Sequence, residues 1–117
     1  MRHAASLTMT LPATLLLLLL AAVLEAAGDA CVRFGLRSAA APRLLFFLAG
    51  AAILFLYGWI VNTPPWDFGR LLGVYVVFFF LVAQAISWLV FHHRPSVAVL
   101  VGGGFIAVGG LIITLAS

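Results

Sequence analysis

Four long apolar stretches, parted by three short polar breaks, dominate the pattern along this chain. They run from about Leu11 to Val32, Leu44 to Val61, Leu71 to Phe91 and Val97 to Ala116. A helix needs about 20 mostly apolar residues to cross the hydrocarbon core of a bilayer. A barrel strand would alternate between lipid and lumen faces, whereas these runs are apolar all round. Backbone groups in lipid must be satisfied within their own segment, which selects helices. The breaks carry the matching punctuation. "RFGLRSAAAPR" holds three Arg, a Gly and a Pro, "NTPPWDFGR" holds two consecutive prolines, and "HHRPS" ends the third run and starts the fourth. The pattern predicts an all-α membrane protein, a single domain over residues 1–117 with four transmembrane helices.

Composition agrees. Of 117 residues, 66% are hydrophobic and 8% charged, against about a quarter charged in soluble domains. The net charge of +3 comes from six Arg and three acidic residues; on so few charges it points to no nucleic acid and bears instead on orientation. Arg33, Arg37, Arg43 and Arg94 fall on one side of the predicted spans, and Arg2 and Arg70 on the other. That weak bias is compatible with insertion both ways round. Cys31 has no partner for an internal disulfide. Trp66 and Trp88 sit near span ends, as interfacial tryptophans do. Arg2 and His3 before "LLLLLLAAVL" imitate a secretory signal, but the apolar run is long and Glu25 and Asp29 would lie just before any cleavage site; the stretch is read as the first span.

Charge inside that span changes the picture most. Glu25, Asp29 and Arg33 follow at intervals of four and so share one helix face, with Gly28 beside them. Glu25 lies about 12 Å deeper than Arg33 at 1.5 Å per residue. A charge at depth costs at least ~2.5 kcal/mol and marks function by default. Low dielectric disfavours an ionised carboxylate, so such a group can trade a proton for a cation. Asp29 and Arg33 have a plainer reading, as markers of the helix end, with Arg33 anchored at the headgroups. Asp29 is either Arg33's partner or a second titrating carboxylate.

The remaining polar and small residues add detail. In the third span, Gln84 and Ser87 share a face with Gly73, Val77 and Phe80, while Tyr75 lies nearly opposite Gln84. Gln84 fits an interhelical hydrogen bond. The rings of Tyr75 and Trp59 can stabilise a cation. In the fourth span, Gly102 and Gly109 are seven apart, as are Gly103 and Gly110, with Ser96 and Ser117 extending the second series. Small residues let helices approach in lipid, either within one chain or between two. His92 and His93 lack a third ligand nearby, so no metal site is expected. No nucleophile–base set, phosphate loop or Cys-x-x-Cys motif appears, so neither an enzyme nor a cofactor is expected.

"LEAAGDACVRFG", with Glu25, Gly28 and Arg33, "GRLLGVYV", with Gly69, Arg70 and Tyr75, Trp88 followed by Arg94-Pro95, and "VGGGFIAVGGLII" together resemble the small multidrug resistance superfamily of four-helix transporters, and within it the YnfA-type small membrane proteins. The likeness covers residues 15–115. It departs where Tyr75 stands in place of the usual Trp and where Asp29 replaces an uncharged residue. The resemblance implies a multi-pass protein of the bacterial cytoplasmic membrane that exports small cationic compounds in exchange for protons by alternating access. It further implies an antiparallel homodimer whose two Glu25 side chains share one chamber lined by Tyr75 and Trp59. With that likeness, Gly102, Gly103, Gly109 and Gly110 become the expected dimer contact, and Asp29 and Arg33 possible modulators. The alternatives are a non-transporting scaffold or accessory subunit and one half of a paired heterodimeric transporter.

Overall fold

The computed structural model describes residues 10–116; Arg2 and His3, and Ser117 of the small-residue series, lie outside them. Four helices follow one another: α1 Leu11–Leu36, α2 Ala40–Val61, α3 Phe68–Leu89 and α4 Val97–Ala116. All four are long and apolar enough to span a membrane, and among the described residues there is no strand. The fold is therefore all-α, as the apolar runs predict.

The helix ends differ from the ends of the apolar runs, because backbone hydrogen bonding and not hydropathy terminates a helix. α1 continues past Val32 to Leu36, so Arg33 is helical. At about 39 Å, α1 exceeds the ~30 Å hydrocarbon core, which requires tilt or protrusion. α2 begins at Ala40 rather than Leu44. Its Pro42 falls in the first turn, where a missing N–H costs nothing. α3 is displaced toward the N-terminus and runs from Phe68 to Leu89.

Local chemistry closes these ends. The Ala13 N–H donates to Thr10 Oγ1 (3.3 Å) at the start of α1, and the Val99 N–H donates to Ser96 Oγ (3.2 Å) at the start of α4. Arg43, in the first turn of α2, donates through Nε to the Gly35 carbonyl (3.1 Å) and through Nη2 to the Leu36 carbonyl (3.3 Å). It thereby satisfies carbonyls that the end of α1 leaves without helical partners. After α3, His92 takes a left-handed conformation (φ 62°) and the His93 N–H reaches back to the Ser87 carbonyl (2.9 Å). This closure is one residue wider than the six-to-one bond of a Schellman motif, with histidine in the left-handed position where glycine is usual.

In space α1 is the hub. It packs against both α2 and α3, whereas α4 packs, among the described helices, against α3 alone. The bundle is flat, 53 × 35 × 19 Å, and its thinnest dimension is about two helix diameters. Leu18, Ala21 and Ala22 of α1 meet Val61 of α2 and Leu71, Val74 and Tyr75 of α3 in the core.

Two glycine seams hold the helices together. Along α1–α2, a Cβ on Gly28 would stand 2.7 Å from Leu54 Cγ, and one on Gly50 would stand 2.9 Å from Val32 Cγ2 and 3.1 Å from the Gly28 carbonyl oxygen. Along α3–α4, the place of a Cβ on Gly103 is taken by the Phe80 ring, and that on Gly110 by Val77. The Gly73–Val77–Phe80 face of α3 is thus where α4 seats. This narrows the expectation that all four paired glycines serve a contact between chains. Gly103 and Gly110 are buried within the chain, while Gly102 and Gly109 have open space where a side chain would go. Successive residues turn a helix by 100°, so one member of each adjacent pair faces α3 and the other does not.

Candidate functional site

A side chain near the middle of α1 can be reached from two helices at once, because α1 alone touches both α2 and α3. Glu25 occupies that place. It is partly buried, and its Oε1 accepts a 2.8 Å hydrogen bond from the hydroxyl of Tyr75 on α3, fifty residues away in the chain. Tyr75 is only 4% exposed, so its ring is fixed by the core while its hydroxyl is aimed at the carboxylate. Tyr57 of α2 brings a second phenol alongside Tyr75. Its ring centroid lies 5.7 Å from that of Tyr75, which in turn stacks at 6.3 Å on Phe79. The result is a carboxylate beside a run of three aromatic rings. An anionic oxygen with ring faces close by is a chemistry for holding a proton or an organic cation.

The structure brings Glu25 and Tyr75 together. Trp59 it places elsewhere: within the chain it is 66% exposed and packs edge-on against Phe55 at 6.1 Å. Tyr57 and Trp59 are two residues apart and so about 200° apart around α2; only one of them can face α1. The spacing Gly50–Leu54–Tyr57–Val61 could have singled out Tyr57. It is a 4-3-4 stripe with a glycine notch, the signature of a helix face that packs, and Trp59 stands off it.

One turn beyond Glu25, Asp29 is exposed and lines an open groove of about 270 Å³ between α1 and α3. The guanidinium of Arg33, a further turn along, lies 5.3 Å from the centroid of the Phe91 ring. Arg70 and Arg94 stand over Trp66 and Trp88 at 4.2 and 5.5 Å. Three of the arginines thus hold to aromatic rings at helix ends, as interfacial anchors do. Gln84 is partly buried and continues the face of α3 that seats α4. Among the described residues no group of three or more His, Cys, Asp or Glu side chains gathers as metal ligands would.

Four membrane-length helices, with a carboxylate held by a phenol in the middle of the bundle, define a small multi-pass membrane protein with an ionisable interior site. Residues 11–117 match the family described as "Uncharacterised BCR, YnfA/UPF0060 family", and the chain belongs to that family. It is 36% identical over 100 residues to a "UPF0060 membrane protein" of Herpetosiphon aurantiacus, which covers 83% of this chain and 88% of the relative. It is 33% identical over 100 residues to a protein of the same description from Clostridium perfringens, which covers 84% of this chain and 88% of the relative. No solved structure is significantly similar.

Proposed function

We propose that the protein is a transporter, not an enzyme, and exchanges protons for small organic cations across a bacterial cytoplasmic membrane. Glu25 is the group for which the two compete. The observation that carries this reading is the 2.8 Å hydrogen bond from Tyr75 to Glu25, a carboxylate midway along a membrane-length helix and beside aromatic rings. A buried carboxylate without purpose would be a net cost. When Glu25 is protonated the site is neutral and releases a cation; when it is ionised the site attracts one. Tyr75 steadies the ionised form by hydrogen bonding, and Tyr57 and Tyr75 offer ring faces to the cation.

The bundle's shape supports completion by a second copy, inserted the other way round as in the small multidrug resistance superfamily that the chain resembles. The outer face of α4, with Gly102 and Gly109 open, offers small residues for close approach. In such a pair two Glu25 side chains serve one chamber that opens alternately to either side, and Trp59, exposed on α2, is free to line it from across the interface. The same open face also favours a second reading, a scaffold or accessory subunit, or half of a heterodimer, that binds a different membrane protein through α4.

The test is uptake of a quaternary ammonium ion into proteoliposomes under an imposed pH gradient. Wild-type protein is expected to accumulate the ion when the lumen is acidic, and a protonophore is expected to abolish uptake. Glu25→Gln is expected to reduce uptake to the level of empty liposomes. Undiminished uptake by Glu25→Gln would remove Glu25 from the mechanism. Stoichiometric recovery of a different membrane protein, with no cation binding, would favour the scaffold.

A further inference from the structure

Outside the Glu25–Tyr75 pair, the groove between α1 and α3 is where polar and aromatic side chains converge. Its wall combines Ala26, Asp29 and Arg33 of α1 with Phe79 of α3 and Phe91 and His93 beyond the end of α3. Three features distinguish it from an ordinary interhelical crevice. Asp29 is exposed into it, one turn from Glu25 on the same helix face. Arg33, the residue that would neutralise Asp29 from one turn away, lies instead against Phe91. The groove also adjoins the central site: Ala26 follows Glu25 in the chain, and Phe79 stacks on the Tyr75 ring whose hydroxyl binds Glu25.

We propose that this groove is a second cation subsite, in which Asp29 takes the ammonium group of a small organic cation and Phe79 takes its apolar body. The inference rests on the exchange reading of Glu25 and deepens it. Asp29 and Glu25 are one helical turn, about 6 Å, apart along α1, so a cation leaving Glu25 toward the α1 C-terminal end meets Asp29 next. The charged and titratable groups facing Asp29 from the groove wall are Arg33 and His93. The Arg33 guanidinium one turn from Asp29 repels further positive charge, so a doubly charged cation is disfavoured there and a monovalent one preferred. The groove's volume of about 270 Å³, just under the ~300–1,000 Å³ of pockets for drug-sized ligands, suits a compact ion.

The experiment is equilibrium binding of benzyltrimethylammonium to the purified full chain in nanodiscs. The variants are Glu25→Gln, Asp29→Asn, both together, and Ala83→Leu, which fills the groove without touching a charge. The expected result is that Glu25→Gln keeps a weaker saturable component and that adding Asp29→Asn removes it. In the otherwise wild-type chain, Asp29→Asn and Ala83→Leu should each weaken overall binding about fivefold, the size of one partly exposed charge contact. A Glu25→Gln chain that is folded by circular dichroism yet binds nothing overturns the subsite. So does a residual component that neither Asp29→Asn nor Ala83→Leu alters. Failure of the Glu25 reading would show separately, as undiminished proton-driven uptake in Glu25→Gln.

Discussion

The two glycine seams make an instructive pair. Both use the device of a missing Cβ to bring helices close, yet they do different work. The α1–α2 seam, through Gly28 and Gly50, lies one turn from Glu25 and sets how near Tyr57 comes to the carboxylate. The α3–α4 seam, through Gly103 and Gly110, only fastens α4 to the outside of α3, on the face of α3 away from Glu25. α1 has 28% of its most apolar stretch buried and α4 has 6%. Three helices make the site, and the fourth makes a surface. Close packing in lipid is therefore not by itself a sign of function; what matters is which side chains it draws together.

The largest effect that separates the seams should come from Gly28→Val. Its branched side chain would collide with Leu54 Cγ, which is not a yielding chain end. Overpacking of this kind costs about 1–3 kcal/mol, and here it also parts α1 from α2 at the site. Thermal unfolding in detergent should shift down, and cation binding should fall by about tenfold or more. Gly110→Val should cost comparable stability, because Val77 is stiff about χ1, while monomer-level cation binding stays within about threefold of wild type. Equal loss of binding in both variants would break the distinction between a seam that builds the site and one that does not.

Much of this was legible in the sequence, and the reasons are particular. The four spans are visible because lipid demands a continuous apolar run, but their ends are not. Arg33 and Pro42 look like terminators in a hydropathy pattern, yet one is helical and the other occupies a tolerated first-turn position. Glu25 is legible because charge at depth is rare. Its bond with Tyr75 joins residues fifty apart, a pairing that spacing alone does not give and that a family resemblance brought into view. Trp59 is the residue of α2 that the family resemblance points to, whereas the Gly50–Leu54–Tyr57–Val61 stripe marks Tyr57 as lying on the packed face of α2. Among the paired glycines of α4, the choice between Gly102 and Gly103 as the packed position depends on how α4 is rotated against α3, which local pattern leaves open.

A smaller effect sharpens the same comparison. Tyr75→Phe keeps the ring in the core and removes only the hydroxyl. A net hydrogen bond contributes roughly 0.5–1.5 kcal/mol, so proton-coupled uptake should fall by about fivefold with little change in fold. Smallest of all should be Gly102→Ala. With open space around it, the substitution gains up to about 1 kcal/mol of helix propensity and leaves the monomer unchanged. A loss of crosslinked dimer in Gly102→Ala would assign the outer face of α4 to a contact between chains, whereas unchanged crosslinking would move that contact elsewhere.

The central claim is that proton and cation compete for one carboxylate. The most direct measurement is proton release on cation binding: a quaternary ammonium ion is added to purified protein in weakly buffered solution containing a pH indicator. The account predicts that wild-type protein releases protons in proportion to the cation bound, and that Glu25→Gln releases none while Asp29→Asn still does. Cation binding without proton release by the wild type, at every pH where the protein stays folded, would contradict it.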